Sequence, residues 1–409
     1  MKRRTIGTKV PSRVKWLILL TAFQAIGYGF LTTAISAYLP MLGVSSDQVG
    51  LIIGASGVAM ILTAIPFGVL SDRIGRKRIL LWSLVGVPPA MIICAISTDP
   101  SVFLIATIIA GISDGAFLST WNAMIADQTN VDNRDMAFSL SFTVNGGFNA
   151  IGLALPLAFP LIEGAFGISS IAVHADTFLI LGLITLISPV TIWYLLKDYK
   201  EKVPAPRMKG AYLRPRSRKN LMKFSINNMM IGLGAGLIIP LIPTWFYLEY
   251  GIGDTYTGPL LAAANLSIIF AVIFSTRLSH RVGAVKAIAI TQASSTIFMV
   301  LIPFMPGAGP AAAVYLIRTA LMNMGGPIMD SYFMGIVDKE DRGLASAINS
   351  IVWRLPNSAT TVIGGLMLTS GYYTLPFILA ATVYIIAVLA FYINFRNVKP
   401  NDEPTGTAL

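Results

Sequence analysis

Long apolar windows recur along the whole chain, broken by short polar stretches. A helix that crosses a bilayer needs about 20 mostly apolar residues. Windows of that kind fall at 14–40, 48–70, 79–98, 101–127, 136–165, 174–196, 224–247, 256–278, 284–306, 309–337, 344–370 and 374–395. Prolines and glycines inside them, such as Pro88-Pro89 and Pro156, argue against helix in water but are tolerated in a membrane. The pattern predicts an all-α membrane protein of twelve transmembrane helices.

The polar positions between windows orient these helices. Of thirty Lys and Arg, six lie from Lys2 to Lys15 up to the start of the first window, four lie in 73–78, and one is Arg134. Ten lie in 197–223, three at 277, 281 and 286, two at 339 and 342, two in the tail, and two deep inside windows. With twelve spans, the other twenty-eight, Lys15, Arg277 and Lys286 at window ends included, fall on the side of the termini. The other side carries the acids Asp47, Asp99, Glu163, Asp176, Glu249 and Asp254. The positive-inside rule therefore predicts cytoplasmic termini in the plasma membrane. The N-terminal MKRRTIGTKVPSRVK resembles the basic region of a signal peptide, but the apolar run after it is too long for one, so a retained first span is expected.

Composition agrees. The chain is 55% hydrophobic and 12% charged, against about 25% charged in soluble domains. A net charge of +11 would suit a nucleic-acid binder, but the basic residues flank apolar windows, so no nucleic-acid partner is expected. Cys94 is the single cysteine, and His174 and His280 are the two histidines, far apart in sequence. No intrachain disulfide, metal site or histidine nucleophile is expected.

Residues 197–223 carry ten basic and two acidic residues and divide the chain. They read as a solvated linker near anionic headgroups, with a specific binding arm as the alternative. The expected organisation is a six-helix bundle over 1–196, the linker 197–223, a second bundle over 224–395 and a cytoplasmic tail 396–409. A shift of 208 residues aligns the halves. LSDRIGRKR at 70–78 meets LSHRVGAVK at 278–286, Gly50 meets Gly258, and Arg134 meets Arg342. One residue of slack brings Gly27 and Gly29 onto Gly234 and Gly236. Parallel repeats of this kind form transporters that hold substrate between two rocking halves.

The stretch GVLSDRIGRK, with Gly68, Asp72, Gly75, Arg76 and Lys77, resembles the signature after the second span of the major facilitator superfamily. Its echo in the second half is degenerate, with His280 in place of the aspartate. The resemblance implies two pseudo-symmetric six-helix bundles and a cytoplasmic gate built from Gly68, Asp72, Arg73, Gly75, Arg76, Lys77 and Arg134. It implies that the aspartate meets the start of the eleventh helix and nearby arginines when that side is closed. An anion at a helix N-terminus gains about 0.3–1 kcal/mol, enough to bias two states without locking either. The alternative is that the basic residues only anchor topology.

Four charges sit inside windows, where insertion costs about 2.5–3.5 kcal/mol each. They are Asp114, Arg318, Asp330 and Arg354. Asp114 lies between Gly111 and the adjoining Gly115, which admit a close helix, and Trp121 shares its face. It is read as a proton-exchanging carboxylate, with a structural hydrogen bond as the alternative. Arg318 and Asp330 lie about 120° apart around their helix, while Asn323 and Asp330 share a face. An Asp330–Arg354 pair is expected. Arg318 is read as a receiver of an anionic group, or as bonded to carbonyls. Under the repeat shift these charges face Ala110, Asn122, Gly146 and Met322, so they break the symmetry of the scaffold. Gln24, Tyr28, Asn149, Trp245 and Asn357 are further cavity positions, Gln24 and Tyr28 one turn apart.

Drug–proton antiporters of the family carry an arginine one turn before the glycine of the fourth span, where this chain has Thr107. They also carry a Gly-Pro pair in the fifth, which NGGFNAIGLALPLAFP lacks. The antiporter resemblance is therefore partial. No nucleotide-binding GxxxxGK[ST] stretch is present. A proton gradient is the expected energy source, with no cofactor and no enzyme chemistry. The leading expectation is a monomeric, proton-coupled exporter of amphipathic, drug-like small molecules. The alternatives are proton-coupled movement of an organic anion and, from another class, a transporter-like receptor or scaffold.

Overall fold

The computed structural model describes residues 9–130, 133–199, 201, 215–338 and 342–398. Most of the expected linker, the tail from 399 and the Arg342 side chain lie outside that set. Every regular element among the described residues is helical. The first six segments are α1 (Ser12–Met41), α2 (Ser46–Ile74), α3 (Arg76–Ala95), α4 (Pro100–Asp127), α5 (Met136–Phe166) and α6 (Ser170–Leu195). Then follow α7 (Ser217–Tyr250), α8 (Asp254–Val282), α9 (Ala284–Phe304), α10 (Ala308–Ile336), α11 (Arg342–Thr369) and α12 (Leu375–Phe395). Nine of them are long and apolar enough to cross a membrane by length and composition. The other three, α8, α10 and α11, run 29, 29 and 28 residues, and α10 and α11 hold Arg318, Asp330 and Arg354.

Local chemistry sets the helix starts and irregularities. Asp99 caps α4 by accepting from the Ser101 N–H at 2.8 Å, with Pro100 at the first helical position. Ser169 caps α6 through the Ala172 N–H. A proline lacks an N–H and crowds the carbonyl one turn back. Accordingly α1 widens to a π turn at Ala34–Tyr38 just before Pro40, and 3₁₀ turns hold Pro156, Pro240 and Pro303.

The duplicated sequence yields duplicated packing. In one half α1 packs on α5 and α6, and α3 on α4 and α6; in the other α7 packs on α11 and α12, and α9 on α10 and α12. One apolar core gathers Leu80, Trp121, Met124, Ile125 and Ala137. The other gathers Ile288, Met329, Tyr332, Phe333 and Ala345, the same positions shifted by 208. Gly75 and Gly283, equivalent in the repeat, stand before α3 and α9 with φ of 101° and 81°. Glycine alone adopts that conformation without steric cost.

The crossings are matched as well. A Cβ on Gly29 would stand 2.2 Å from the Asn149 carbonyl oxygen, and one on Gly236 would stand 2.1 Å from that of Asn357. The same asparagines reach back with their amides, Asn149 to the Ala25 carbonyl at 3.3 Å and Asn357 to that of Gly232 at 3.4 Å. Small residues bring helix backbones together where lipid supplies no hydrophobic drive. Exposed apolar side chains such as Leu62, Val190, Leu389 and Ile393 cover the outside of the helices, as a lipid-facing surface requires.

By packing, the described residues within Met1–Val44, Ala55–Arg207 and Gly253–Ala262 form unit 1, and those within Ser45–Gly54, Met208–Ile252 and Ala263–Leu409 form unit 2. The start of α2 thus belongs to unit 2 and the start of α8 to unit 1. The repeat mates Gly50 and Gly258 explain it. In unit 2 Gly50 lies against the Thr361 carbonyl, and in unit 1 Gly258 lies against the Leu153 carbonyl.

Candidate transport pathway

In unit 1, Asp114 is half-buried on α4. Its neighbours Gly111 and Gly115 press α4 onto α2. A Cβ on Gly111 would meet the Ser56 carbonyl oxygen at 2.3 Å, and one on Gly115 would meet that of Met60 at 2.4 Å. Tyr28 of α1 lies beside Asp114 and donates its hydroxyl to the Ala110 carbonyl at 2.8 Å. The close helix expected from the glycines is therefore α2, and Asp114 lies beside Tyr28 between the two glycines on which α2 packs. Thr107, one turn before Gly111, donates to the Leu104 carbonyl.

Other positions singled out from sequence hold helices together. The buried Gln24 amide donates to the Leu84 carbonyl at 2.9 Å and the Thr185 carbonyl at 3.0 Å, joining α1 to α3 and α6. The Trp121 indole donates to the Ser141 hydroxyl at 2.9 Å and stacks on Phe117 in the unit 1 core. Asn149 and Asn357 clamp the two matched crossings described above. Trp245 is fully buried among Phe246, Tyr250 and Phe377.

Among the described lysines and arginines, the one most deeply withdrawn from solvent is in unit 2. Arg318 on α10 is 4% exposed. Its guanidinium donates to the Tyr384 hydroxyl of α12 at 3.2 Å, with that ring 5.8 Å away, and its Nε–H meets no partner among the described residues. Its backbone carbonyl accepts from Ser295 at 2.9 Å. The partner of this cation is thus a neutral phenol. One of the two readings of Arg318, bonding to carbonyls, is not what its side chain does among the described residues.

Asn323 and Arg354 are half-buried, whereas Asp330 is exposed. The expected Asp330–Arg354 pair is not among the ion pairs seen, which include Arg76 with Asp72 and Asp127, and His174 with Asp254, and Asp330 lies on the exposed side of its helix. The reason is rotational. The buried stripe of α10 runs through Gly325, Ile328, Met329, Tyr332, Phe333 and Ile336, and Asp330 falls outside it.

The 68–78 motif ties one end of unit 1 together. Arg76 bonds Asp127 at the end of α4 and approaches Asp72 at 3.8 Å. The Lys77 ammonium donates to the Leu196 and Lys197 carbonyls beyond α6. Arg134 donates to the Ala126 and Thr129 carbonyls, while Arg73 is exposed and a Cβ on Gly68 would meet only Ser119, at 3.7 Å. Sequence reasoning missed Glu201. Its carboxylate accepts from the N–H groups of Arg76 and Lys77 and so caps α3, where Gly75 offers no side chain. Burial raises the Tyr199 phenol above its ordinary value, and nearby Asp127 and Glu201 add to the effect. Sequence reasoning also missed Tyr384, and His174 with Asp254. A histidine inside an apolar window was the available signal for the last pair.

A duplicated bundle of membrane helices with charges placed inside it is the architecture of a transporter. Residues 17–329 and 224–408 match the Major Facilitator Superfamily, and the chain belongs to that family. It is 23% identical over 223 residues to the inner membrane transport protein YajR of Escherichia coli, covering 54% of this chain and 47% of that protein. It is 26% identical over 149 residues to a gallate transporter of Pseudomonas putida, 35% of this chain and 32% of the relative. It is 21% identical over 349 residues to the quinolone resistance protein NorA of Staphylococcus aureus, 83% and 86% of the two chains. The chain thus spans less than half the length of the first two relatives and most of the third. A solved bacterial homolog of the human lysosomal transporter Spinster superposes with a TM-score of 0.73 at 16% identity, over 95% of this chain and 98% of that one. The protein is a multi-pass membrane protein with the major facilitator fold.

Proposed function

We propose that the chain is a proton-coupled exporter of amphipathic, drug-like small molecules, working as a monomer in the plasma membrane by alternating access. The observation that carries this reading is Asp114, a half-buried carboxylate inside an apolar helix, beside Tyr28 and flanked by the glycines on which α2 packs. A carboxylate withdrawn from water is held at a cost that protonation relieves, which suits a group that loads and unloads a proton each cycle. A gradient of 100 mV supplies about 2.3 kcal/mol per charge moved. The similarity to NorA along most of its length supports a drug-like cargo. At the basic end, the half-exposed Asp72, which approaches Arg76 at 3.8 Å, is the mobile element of a cytoplasmic gate with the rest of the 68–78 motif.

The test is drug efflux from proteoliposomes under an imposed proton gradient. Asp114→Asn is expected to remove proton-driven flux, a loss of at least about tenfold if one proton-linked step is blocked. Unchanged flux would take Asp114 out of the mechanism.

Arg318 favours a second reading, an organic anion as cargo. A guanidinium 4% exposed and paired with a neutral phenol has charge left to offer, and the match to a gallate transporter points the same way. Thermal shift of the purified protein across cations, neutral drugs and aromatic carboxylates separates the two. Stabilisation by carboxylates alone, lost in Arg318→Gln, would replace drugs with anions as the cargo.

A further inference from the structure

At the end of unit 1 away from the 68–78 motif, His174 and Asp254 form a buried pair. Their side chains are 1% and 2% exposed, and Nε2 stands 2.6 Å from Oδ2. His174 opens α6, Asp254 is the first residue of α8, and 80 residues separate them. The histidine Nδ1 lies 2.7 Å from the Ser170 carbonyl oxygen. A carbonyl only accepts, so Nδ1 must carry a proton and donate it. The tautomer is thereby decided, and Nε2 has a lone pair unless it takes a second proton. A lone pair cannot face a carboxylate at hydrogen-bond distance. One further proton must lie between Nε2 and Oδ2, giving imidazolium with carboxylate or imidazole with carboxylic acid.

We propose that His174 and Asp254 form a proton-binding site that latches the first turn of α8 onto α6. With its proton the pair is neutral overall and satisfied. Without it, a net negative charge and an opposed lone pair remain on two buried side chains, a state that costs more than the contact returns. Loss of the proton from the Nε2–Oδ2 line therefore releases Asp254 from His174. The surroundings make the site selective for a proton. Tyr38 stacks on the imidazole at 3.6 Å, Phe30 and Phe159 pack around it, and Phe178 backs Phe30. The titratable groups facing His174 among the described contacts are thus Asp254 on α8 and Tyr38 on α1, with the Cys94 thiol of α3 on the wall of the cavity that Tyr38 and His174 also line. Asp176, two residues further along α6, points about 200° away and is exposed. That cavity, about 380 Å³ and lined by Tyr38, Cys94, Ser97, Phe103, His174 and Phe178, gives the departing proton a path to water. Beyond the pair, Gly258 on the Leu153 carbonyl and Ala262 beside Ala150 and Leu153 continue the seam, so the first turns of α8 move as a unit when the latch opens.

The latch is independent of the Asp114 reading, and the experiment keeps them apart. Spin labels at the exposed positions Ile171 and Tyr256, in a Cys94→Ala background of the full chain, report the α6–α8 distance by pulsed electron resonance. The closed state holds one proton more than the open one, so raising the pH favours opening. The open-to-closed ratio is expected to rise by up to about tenfold per pH unit, the limit for one proton. Asp254→Asn offers an N–H to the Nε2 lone pair and keeps the contact without a proton, so its distance should stay short at every pH. Asp114→Asn should respond to pH as the parent does. A parent distance that ignores pH, or an Asp254→Asn variant that opens with the parent's slope, would overturn the proposal. A pH response that vanishes in Asp114→Asn and persists in Asp254→Asn would also overturn it, and would assign the proton to Asp114.

Discussion

Glu201 sits just beyond the sixth helix yet closes the start of the third, because Gly75 leaves the first N–H groups of α3 without a side-chain acceptor. Removing a helix cap costs about 0.5–2 kcal/mol. Glu201→Ala is expected to destabilise by that margin, read as a lower thermal midpoint in detergent, and Glu201→Gln, which keeps an acceptor, to lower it less. Tyr384→Phe deletes the hydroxyl that accepts from Arg318 and leaves a buried guanidinium short of a partner, at about 1–3 kcal/mol. Its thermal midpoint should fall in the cargo-free protein and recover on adding whatever anion the site accepts. Asp114 and Arg318 were legible as charges in apolar windows, since membrane insertion makes such residues conspicuous. Their partners were not. Arg318 and Tyr384 lie 66 residues apart, and Glu201 lies 125 from Arg76.

Paired helix crossings carry the duplicated design. Gly29 and Gly236 each let a helix backbone approach where a methyl group would stand within about 2 Å of a carbonyl oxygen, far inside contact distance. Gly29→Ala and Gly236→Ala are both expected to destabilise by the cost of overpacking, about 1–3 kcal/mol or more. Gly146→Ala, with nothing within 4 Å of its added carbon, is the control and should leave the thermal midpoint nearly unchanged. The shift of 208 makes the glycine equivalence readable from the amino-acid order alone. It does not show that the facing residue is Asn149 in one half and Asn357 in the other. Both asparagines read as cavity positions in sequence because a polar side chain in an apolar window looks the same whether it faces a cargo or a neighbouring carbonyl. The exposed position of Asp330, off the buried stripe of α10, has a similar origin. Depth along a helix follows from counting residues, but the direction a side chain faces depends on how the whole helix is rotated.

Across the molecule, the segregation of basic residues predicts which ends of the helices face the cytoplasm. In a Cys94→Ala background, a cysteine at the exposed Thr98 should react with an impermeant maleimide on intact cells, and one at the exposed Arg78 only after permeabilisation. The reverse pattern would invert the topology. The all-helical class, the family and the repeat were legible from the chain because they are one-dimensional. Bilayer thickness sets the length of an apolar window, charge in lipid is too costly to hide, and a duplication preserves spacing. Folding decided which side chains meet, because helix rotation and crossing bring together residues that no local pattern links. The start of α8 thereby came to rest in unit 1, with Asp254 against a histidine 80 residues away.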